Sequence, residues 1–229
     1  MDKDLLEGFA RYLEPQAALV QKDPHCAGPS ITISRQMGAG GIEIANLLAD
    51  QLSARCCRIW VVFEKNLAQL VWQNRHLPAP VGRFFDEGVP QAIHDTVQEL
   101  LGVRITGWNQ VEHTAATILR LAGRGDAIFV GRGANIITAN QKAVLRVRLI
   151  APFAKRVRQI EEHHRLGTQE AVELISATDD MRRRYIKHYF RAEIDDPINY
   201  HFVINTGAIG YQETAHIIAE ATMNIQSLA

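Results

Sequence analysis

The organisation of this chain is set by the stretch Ile31-Thr-Ile-Ser-Arg-Gln-Met-Gly38-Ala-Gly40-Gly41-Ile-Glu-Ile-Ala45. A short apolar run at 31–34 is followed by three glycines in four positions, and then by apolar residues at helical spacing over 42–52. This order predicts a strand, a tight turn and a helix. Backbone N–H groups and a helix N-terminus would then surround one small concavity that suits phosphate oxygens. A second interpretation stays open, in which the glycines only let the helix and the strand pack closely.

The same alternation of patterns continues along the rest of the chain. Short β-rich runs lie at 31–34, 57–63, 127–130, 144–150 and 201–205, and helical patterns lie at 42–52, 112–121, 153–162, 169–189 and 212–225. Strands that alternate with helices predict parallel pairing, because a parallel crossover needs a dozen or more residues and usually takes a helix. The sequence therefore predicts an α/β fold with a five-stranded parallel sheet.

Two segments fall outside this alternation. Residues 1–29, which end in DPHCAGPS, are predicted to form an amphipathic helix and a linker that packs on the core or makes a homodimer contact. Residues 30–229 are predicted to form one domain. Within it the connection from the second to the third strand is unusually long and contains the turn-rich fragment RHLPAPVGRFFDEGVP. We expect residues 64–125 to be a helical insertion over the sheet edge.

Composition restricts the kind of partner. The chain has 229 residues, 47% of them hydrophobic, which suits one large globular domain. Its 25 basic and 25 acidic residues cancel, so no overall field favours nucleic acid or an anionic membrane, and any anion site must be local. No run approaches 18 apolar residues, the amino terminus lacks a signal-peptide pattern, and the three cysteines form no CxxC pair. These features predict a cytoplasmic protein without nucleic-acid or membrane partners.

Four blocks in a fixed order carry a family resemblance. They are ITISRQMGAGGIEIANLLADQL, AIFVGRGANII, VRLIAPFAKRVRQI, and EAVELISATDDMRRRYIKHYF with NYHFVINTG. Over about residues 30–225 the chain resembles the cytidylate kinase-like family of P-loop nucleoside monophosphate kinases. The resemblance implies a three-layer P-loop fold with a helical substrate-binding insertion and an arginine-bearing lid at about 155–195. It also implies transfer of a phosphoryl group from ATP, with Mg²⁺, to a nucleoside monophosphate such as CMP or to another small phosphate-bearing acceptor.

The glycine turn departs from the usual P-loop. In the G-x-x-x-x-G-K-[ST] pattern a lysine and a hydroxyl stand where this chain has Gly41 and Ile42. The family's pattern at this turn is similar to GSGGREIA, so the absence of the lysine is a family trait, whereas Ile42 in place of the arginine departs from that pattern. The resemblance implies that the donor phosphates contact the turn residues Gly38, Ala39, Gly40, Gly41, Ile42 and Glu43. Because one preorganised contact contributes about 3 to 4 kcal/mol to the transition state, another cation is needed.

Candidate cations follow the first and third strands. Arg35 ends the first strand, where its side chain either folds back over the phosphates or lies on the surface. Arg132 follows the third strand at its carboxyl end, the edge where open α/β sheets bind ligands. Arg132 resembles the arginine that holds the acceptor monophosphate in cytidylate kinases. Gly133 stands in place of the aspartate that reads the sugar or base, so the resemblance does not extend to cytidine selectivity.

The lid helix contains Asp179-Asp180-Met181-Arg182-Arg183-Arg184-Tyr185. Successive arginines point about 100° apart on a helix, so they cannot all meet one phosphate chain. Arg182 continues the family's D-x-x-R-x-x-Y spacing, and with Arg132 and Arg184 it completes the predicted catalytic set. Alternatively, Arg183 and Arg184 pair with the two aspartates on a solvated face. Arg156 resembles the arginine of the helix that begins the lid.

The metal ligands are not assigned by the sequence. Glu43, Glu64 and Asp86 are candidates for Mg²⁺, although Glu43 would equally stabilise the start of its own helix. Two hypotheses of function follow. Arg132 and Arg182 favour a kinase, whereas Gly41 and Ile42 favour a nucleotide-binding sensor or interaction module that has lost turnover.

Overall fold

The sheet has five strands, all parallel. A computed structural model of the chain describes residues 28–64 and 108–225. The strands are β1 (Ser30–Arg35), β2 (Val61–Phe63), β3 (Ala127–Val130), β4 (Val144–Ile150) and β5 (Phe202–Asn205). They pair in the order β2-β3-β1-β4-β5. The predicted α/β fold with a five-stranded parallel sheet is thereby confirmed.

Six α-helices lie between and beyond these strands in the described part of the chain. They are α1 (Gly41–Cys56), α2 (Trp108–Arg124), α3 (Ala134–Ile137), α4 (Phe153–His164), α5 (Thr168–Phe190) and α6 (Tyr211–Ile225). A 3-10 turn at Pro197–Asn199 precedes β5. Each predicted helical pattern lies within one of these helices.

The central strand shows how the layers are built. Ile31 and Ile33 are fully buried in one core with residues of α1 and α6. Alternate residues of a strand point to opposite faces, so Ser30 and Thr32 face the other side, where the Ser30 hydroxyl donates to the Ala122 carbonyl of α2 at 3.1 Å. The sheet therefore lies between α1 and α6 on one face and α2 on the other, which gives the predicted three layers.

The second strand begins later than predicted. The sequence suggested 57–63, but β2 starts at Val61. Cys57 adopts a left-handed conformation (φ 52°) that ends α1. The backbone N–H of Trp60 then donates to the Ser53 hydroxyl at 3.0 Å, so the residues between them form the connection from the helix. Apolar residues in this connection extended the β pattern beyond the true strand.

Two predicted segments fall largely outside the described residues. They are the amino-terminal helix, within 1–29, and most of the insertion at 64–125, whose described part after Glu64 is mainly α2. The region predicted as the lid forms α4 and α5, which pack through Val157, Ile160, Ala171 and Ile175 with Met37 against them. Within residues 28–64 and 108–225, no helix is long and apolar enough to cross a lipid bilayer.

A candidate phosphate-binding turn

The glycine turn joins β1 to α1 at the carboxyl edge of the sheet. Gly38 and Gly40 have φ angles of 77° and 75°, a left-handed conformation that glycine adopts without steric cost. A Cβ on Gly38 would lie 2.7 Å from the backbone oxygen of Arg156, and one on Gly40 would lie 2.3 Å from Cζ of Tyr211. Neighbouring helices α4 and α6 therefore enclose the turn, and the two glycines are needed for space as well as for conformation.

The start of α1 offers unpaired amides. The helix has Gly40 at its N-cap, with no side chain capping it. The backbone N–H of Ile44 donates to the Gly40 carbonyl at 2.9 Å, which begins the helical hydrogen bonding. The amides of Gly41, Ile42 and Glu43 have no acceptor within the helix, and the helix dipole is positive at this end. An anion in the turn would satisfy these donors. Burial and the charge of Glu43 both raise the pKa of Tyr211, so the Glu43 carboxylate lies within electrostatic reach of the Tyr211 hydroxyl.

A turn after β5 supports the loop from the other side. The Thr206 hydroxyl donates to the Ala39 carbonyl at 3.1 Å, and Ala39 is fully buried. Asn205 accepts from the backbone N–H of Gly207 at 2.9 Å, which closes this turn. Lys155 donates to the Thr206 carbonyl at 2.8 Å. The sequence Asn205-Thr206-Gly207 is typical of a turn, but it does not indicate the bond from Thr206 to Ala39.

Arg35 crosses the turn. A Cβ on Gly41 would lie 2.7 Å from Cγ of Arg35, and a Cβ on Gly131 would lie 2.3 Å from its Nη1. The side chain thus runs from the end of β1 past the first residue of α1 to the end of β3. Burial, together with the charges of Arg182 and Arg132, lowers the pKa of Arg35 to about 10, while the charges of Glu64 and Asp179 act in the opposite direction. Arg35 is half-buried, and its charged form is less favoured here than in water.

Arg132 lies in a strained turn at the same edge. Gly131, Arg132 and Gly133 all have positive φ angles, of 86°, 58° and 71°. A left-handed conformation costs a residue with a side chain roughly 1 to 2 kcal/mol. The Arg132 charge acts on both Arg35 and Tyr185, so its guanidinium lies within electrostatic reach of the end of β1 and of α5. Such strain in a non-glycine residue is often found where function fixes the side-chain position.

The position after Arg132 is closed by an aromatic ring. A Cβ on Gly133 would lie 2.6 Å from Cε2 of Phe190. Phe190 packs edge-on against Tyr185, with ring centroids 5.9 Å apart, and Tyr185 packs on Tyr189 at 5.1 Å. An aspartate at position 133 would therefore displace this aromatic cluster.

Asp179 fastens α5 to the turn. One carboxylate oxygen accepts from the backbone N–H of Met37 at 2.8 Å, and the other accepts from Arg156 at 2.6 Å. Arg182 lies 3.4 Å from the same carboxylate and also donates to the Arg35 carbonyl at 3.2 Å. Arg156 donates further to the Met37 carbonyl at 3.2 Å. Two of the predicted phosphate-binding arginines thus hold the entry to the turn through one shared aspartate.

The other two arginines of the triplet have different surroundings, although Arg183 borders the same small cavity as Arg35 and Arg182. Arg183 pairs with Asp180 and lies 3.6 Å from Asp195, so it belongs to the solvated face that the sequence suggested as an alternative. Arg184 is exposed and lines a groove with Lys187 and Arg191 on the outer side of α5. Of the three, Arg182 is the one with direct contacts to the turn. The separation expected from helical geometry is present, and the role of each arginine stays a prediction.

A buried arginine supports the end of β1. Arg148 of β4 is 4% exposed and donates to the Ser34 hydroxyl at 2.8 Å and to Asp195 at 2.5 Å. The Tyr200 hydroxyl donates to the Ile194 carbonyl at 2.7 Å. These bonds fix the segment after α5 beside the strand that precedes the turn.

Carboxylates for a metal are sparse. Among the residues that the structure describes, no three His, Cys, Asp or Glu side chains come together as a metal site. Glu64 follows β2 at the carboxyl edge and acts on Arg35, whereas Asp86 lies outside the described residues. Asp126 precedes β3 at the opposite edge and pairs with Arg58 at 3.2 Å. Glu43 and Glu64 are therefore the predicted metal ligands that lie near the turn.

The chain is similar to one protein family and to solved structures over most of its length. A model of the cytidylate kinase-like family matches residues 30–208. The crystal structure of an uncharacterized protein from Eubacterium ventriosum ATCC 27560 is similar, with a TM-score of 0.59 at 17% identity, over 85% of this chain and 98% of that chain. A shikimate kinase from Acinetobacter baumannii in complex with shikimate gives a TM-score of 0.44 at 14% identity, over 86% of this chain and 94% of that chain. No curated protein sequence matches the chain.

Proposed function

The chain belongs to the cytidylate kinase-like family, and from this membership and the glycine turn we propose that it transfers a phosphoryl group from ATP to a nucleoside monophosphate. Another small phosphate-bearing acceptor would use the same cations. The observation that carries the proposal is the convergence of an uncapped helix N-terminus with Arg35, Arg132 and Arg182. Phosphoryl transfer requires positioning and neutralisation of spread negative charge, and these groups supply both.

The donor end of the site is the turn itself. The amides of Gly41, Ile42 and Glu43 and the left-handed glycines before them suit the β- and γ-phosphates of ATP. The cations of this region are packed around one another, which raises the free energy of the empty site. A bound polyphosphate would remove that repulsion, so we expect tight binding despite the missing lysine.

The acceptor end is assigned to Arg132. Its strained backbone and its position after β3 at the carboxyl edge support a role in holding the acceptor phosphate. Glu43 or Glu64 would hold Mg²⁺, directly or through water, and the ion would neutralise part of the negative charge of the donor phosphates. Phe190 fills the space beside Gly133, so position 133 offers no side chain that would select the base or sugar of the acceptor. Because ATP is the phosphoryl donor in this proposal, we expect the protein to act in the cytoplasm.

A coupled assay tests the proposal. ATP is supplied with CMP, dCMP, UMP or AMP, and ADP release is followed. We expect transfer to at least one acceptor, and we expect Arg132→Ala to lower kcat/KM by about 100-fold or more, as for loss of one preorganised charge contact. Arg55→Ala is the matched control, because Arg55 pairs with Glu220 at the far end of α1 and should leave turnover unchanged.

One observation favours the second hypothesis, a nucleotide-binding sensor. The Met37 amide and two arginines are already satisfied by Asp179, which leaves fewer groups for catalysis. The same experiment distinguishes the two hypotheses. Thermal stabilisation by ATP, with no ADP formed in the presence of any acceptor, would refute the kinase hypothesis and support the sensor hypothesis.

A further inference from the structure

Building on the proposed function, we propose that Arg35 delivers to the phosphates the charge that a P-loop lysine would deliver, and that Gly41 is glycine because Arg35 occupies its side-chain space. Position 35 corresponds to the first glycine of G-x-x-x-x-G-K-[ST], and position 41 corresponds to its lysine. The chain therefore has a cation at the position of the first glycine and a glycine at the position of the lysine. The cation enters from the strand instead of from the helix.

The steric fit supports the exchange. The three atoms nearest to a Cβ built on Gly41 all belong to Arg35, namely Cγ at 2.7 Å and Cβ and Cδ at 3.2 Å. These atoms form the stem of the side chain, which cannot swing away as its tip can. A lysine at position 41 and an arginine at position 35 therefore exclude each other.

The far end of Arg35 identifies where the charge is delivered. Its Nη1 lies against Gly131, where a Cβ would approach to 2.3 Å, and the next residue is Arg132. The guanidinium therefore lies between the proposed donor turn and the proposed acceptor arginine. A group in that position contacts the phosphoryl group in transit as well as the donor.

The surroundings of Arg35 indicate an anionic ligand. Burial and the neighbouring charges of Arg182 and Arg132 disfavour its charged form, and Glu64 and Asp179 offset them only in part. A polyphosphate would supply the missing negative charge. Arg156 and Arg182, by contrast, already share the Asp179 carboxylate, so a polyphosphate would add relatively more negative charge beside Arg35 than beside these two arginines.

Four full-length variants test the inference. Arg35→Ala is expected to weaken binding of ATP and of inorganic tripolyphosphate at least tenfold by calorimetry, and to lower turnover about 100-fold or more. Gly41→Ala should impair both in the same direction although it removes no charge, because its methyl group displaces Arg35. The exchanged protein, Arg35→Gly with Gly41→Lys, should bind at least tenfold better than Arg35→Gly alone.

The matched control is Gly123→Ala in α2, where an added Cβ meets no atom within 4 Å. It should bind and turn over as the unaltered protein does. Unchanged binding in Arg35→Ala or in Gly41→Ala, or an exchanged protein no better than Arg35→Gly, would overturn the inference while leaving the kinase proposal intact. An unaltered protein that neither binds ATP nor transfers phosphate would instead defeat the proposed function itself.

Discussion

Removal of the Asp179 carboxylate should destabilise the protein more than removal of its neighbour Asp180. Asp179→Ala leaves the Met37 amide without its acceptor and two arginines without their counter-charge. Breaking a buried ion pair costs about 3 to 5 kcal/mol. The Arg156 side chain is 9% exposed, but those of Arg182 and Asp179 are 21% and 17% exposed, so the lower limit of about 3 kcal/mol applies. For a chain of this size that corresponds to a fall in Tm of about 6 to 12 °C.

The measurement is urea unfolding together with a thermal scan. Asp180→Ala is a close control, because both residues lie on α5 and both substitutions gain the same helix propensity. Asp180 pairs with Arg183 on the surface, where the side chains are 53% and 49% exposed, so its loss should change stability by less than about 1 kcal/mol. Asp179→Asn should fall between the two, since it keeps an acceptor for Met37. Equal stability of the two alanine variants would refute the assignment of Asp179 as the fastening residue.

Three further predictions concern the backbone and pH. Gly38→Ala should cost about 2 to 4 kcal/mol in urea unfolding, because its φ is positive and a rigid backbone oxygen faces the new methyl group, whereas Gly123→Ala in a helix should stabilise by about 0.5 kcal/mol. Arg132→Gly should be about 1 kcal/mol more stable than Arg132→Ala, with the same loss of turnover, because only glycine relieves the left-handed strain; equal stabilities would argue against strain. Burial and the charge of Arg146 lower the pKa of His201 below 6.5, so the unfolded chain takes up the proton first and stability falls as pH drops through 6.5. His201→Asn should show a smaller loss of Tm between pH 7.5 and 5, and an identical loss would exclude His201 as a cause.

Most of the fold was predictable from local patterns. The central strand β3 buries both faces and appears in the sequence as an uninterrupted apolar run, β1 and β4 appear as β-rich runs that also contain polar residues, and the helices show one apolar stripe. The predicted start of β2 was wrong because the apolar residues Ile59 and Trp60 continue the β pattern but belong to the connection after α1, which ends where Cys57 turns left-handed. The alternation of apolar residues that indicates a strand does not show at which residue the preceding helix ends.

The site was predictable only as far as it is local. The glycine turn and the arginines at strand ends stand out in the sequence because each can be recognised from the residues next to it. The bond from Met37 to Asp179 joins residues 142 positions apart, and no spacing in the sequence encodes it. The same holds for Tyr211 over Gly40 and for Thr206 on Ala39, since each depends on how α6 and β5 lie in the finished sheet. Tertiary packing, rather than the motif, sets the final shape of the turn.

The contact between the stem of Arg35 and Gly41 also limits how this turn can change during evolution. A mutation that introduces lysine at position 41 meets the resident arginine, and one that introduces glycine at position 35 removes the cation. Under the proposed role of Arg35, each single substitution should weaken phosphate binding, and only the double replacement should give a working turn. We therefore expect the residues at positions 35 and 41 to be inherited as a pair.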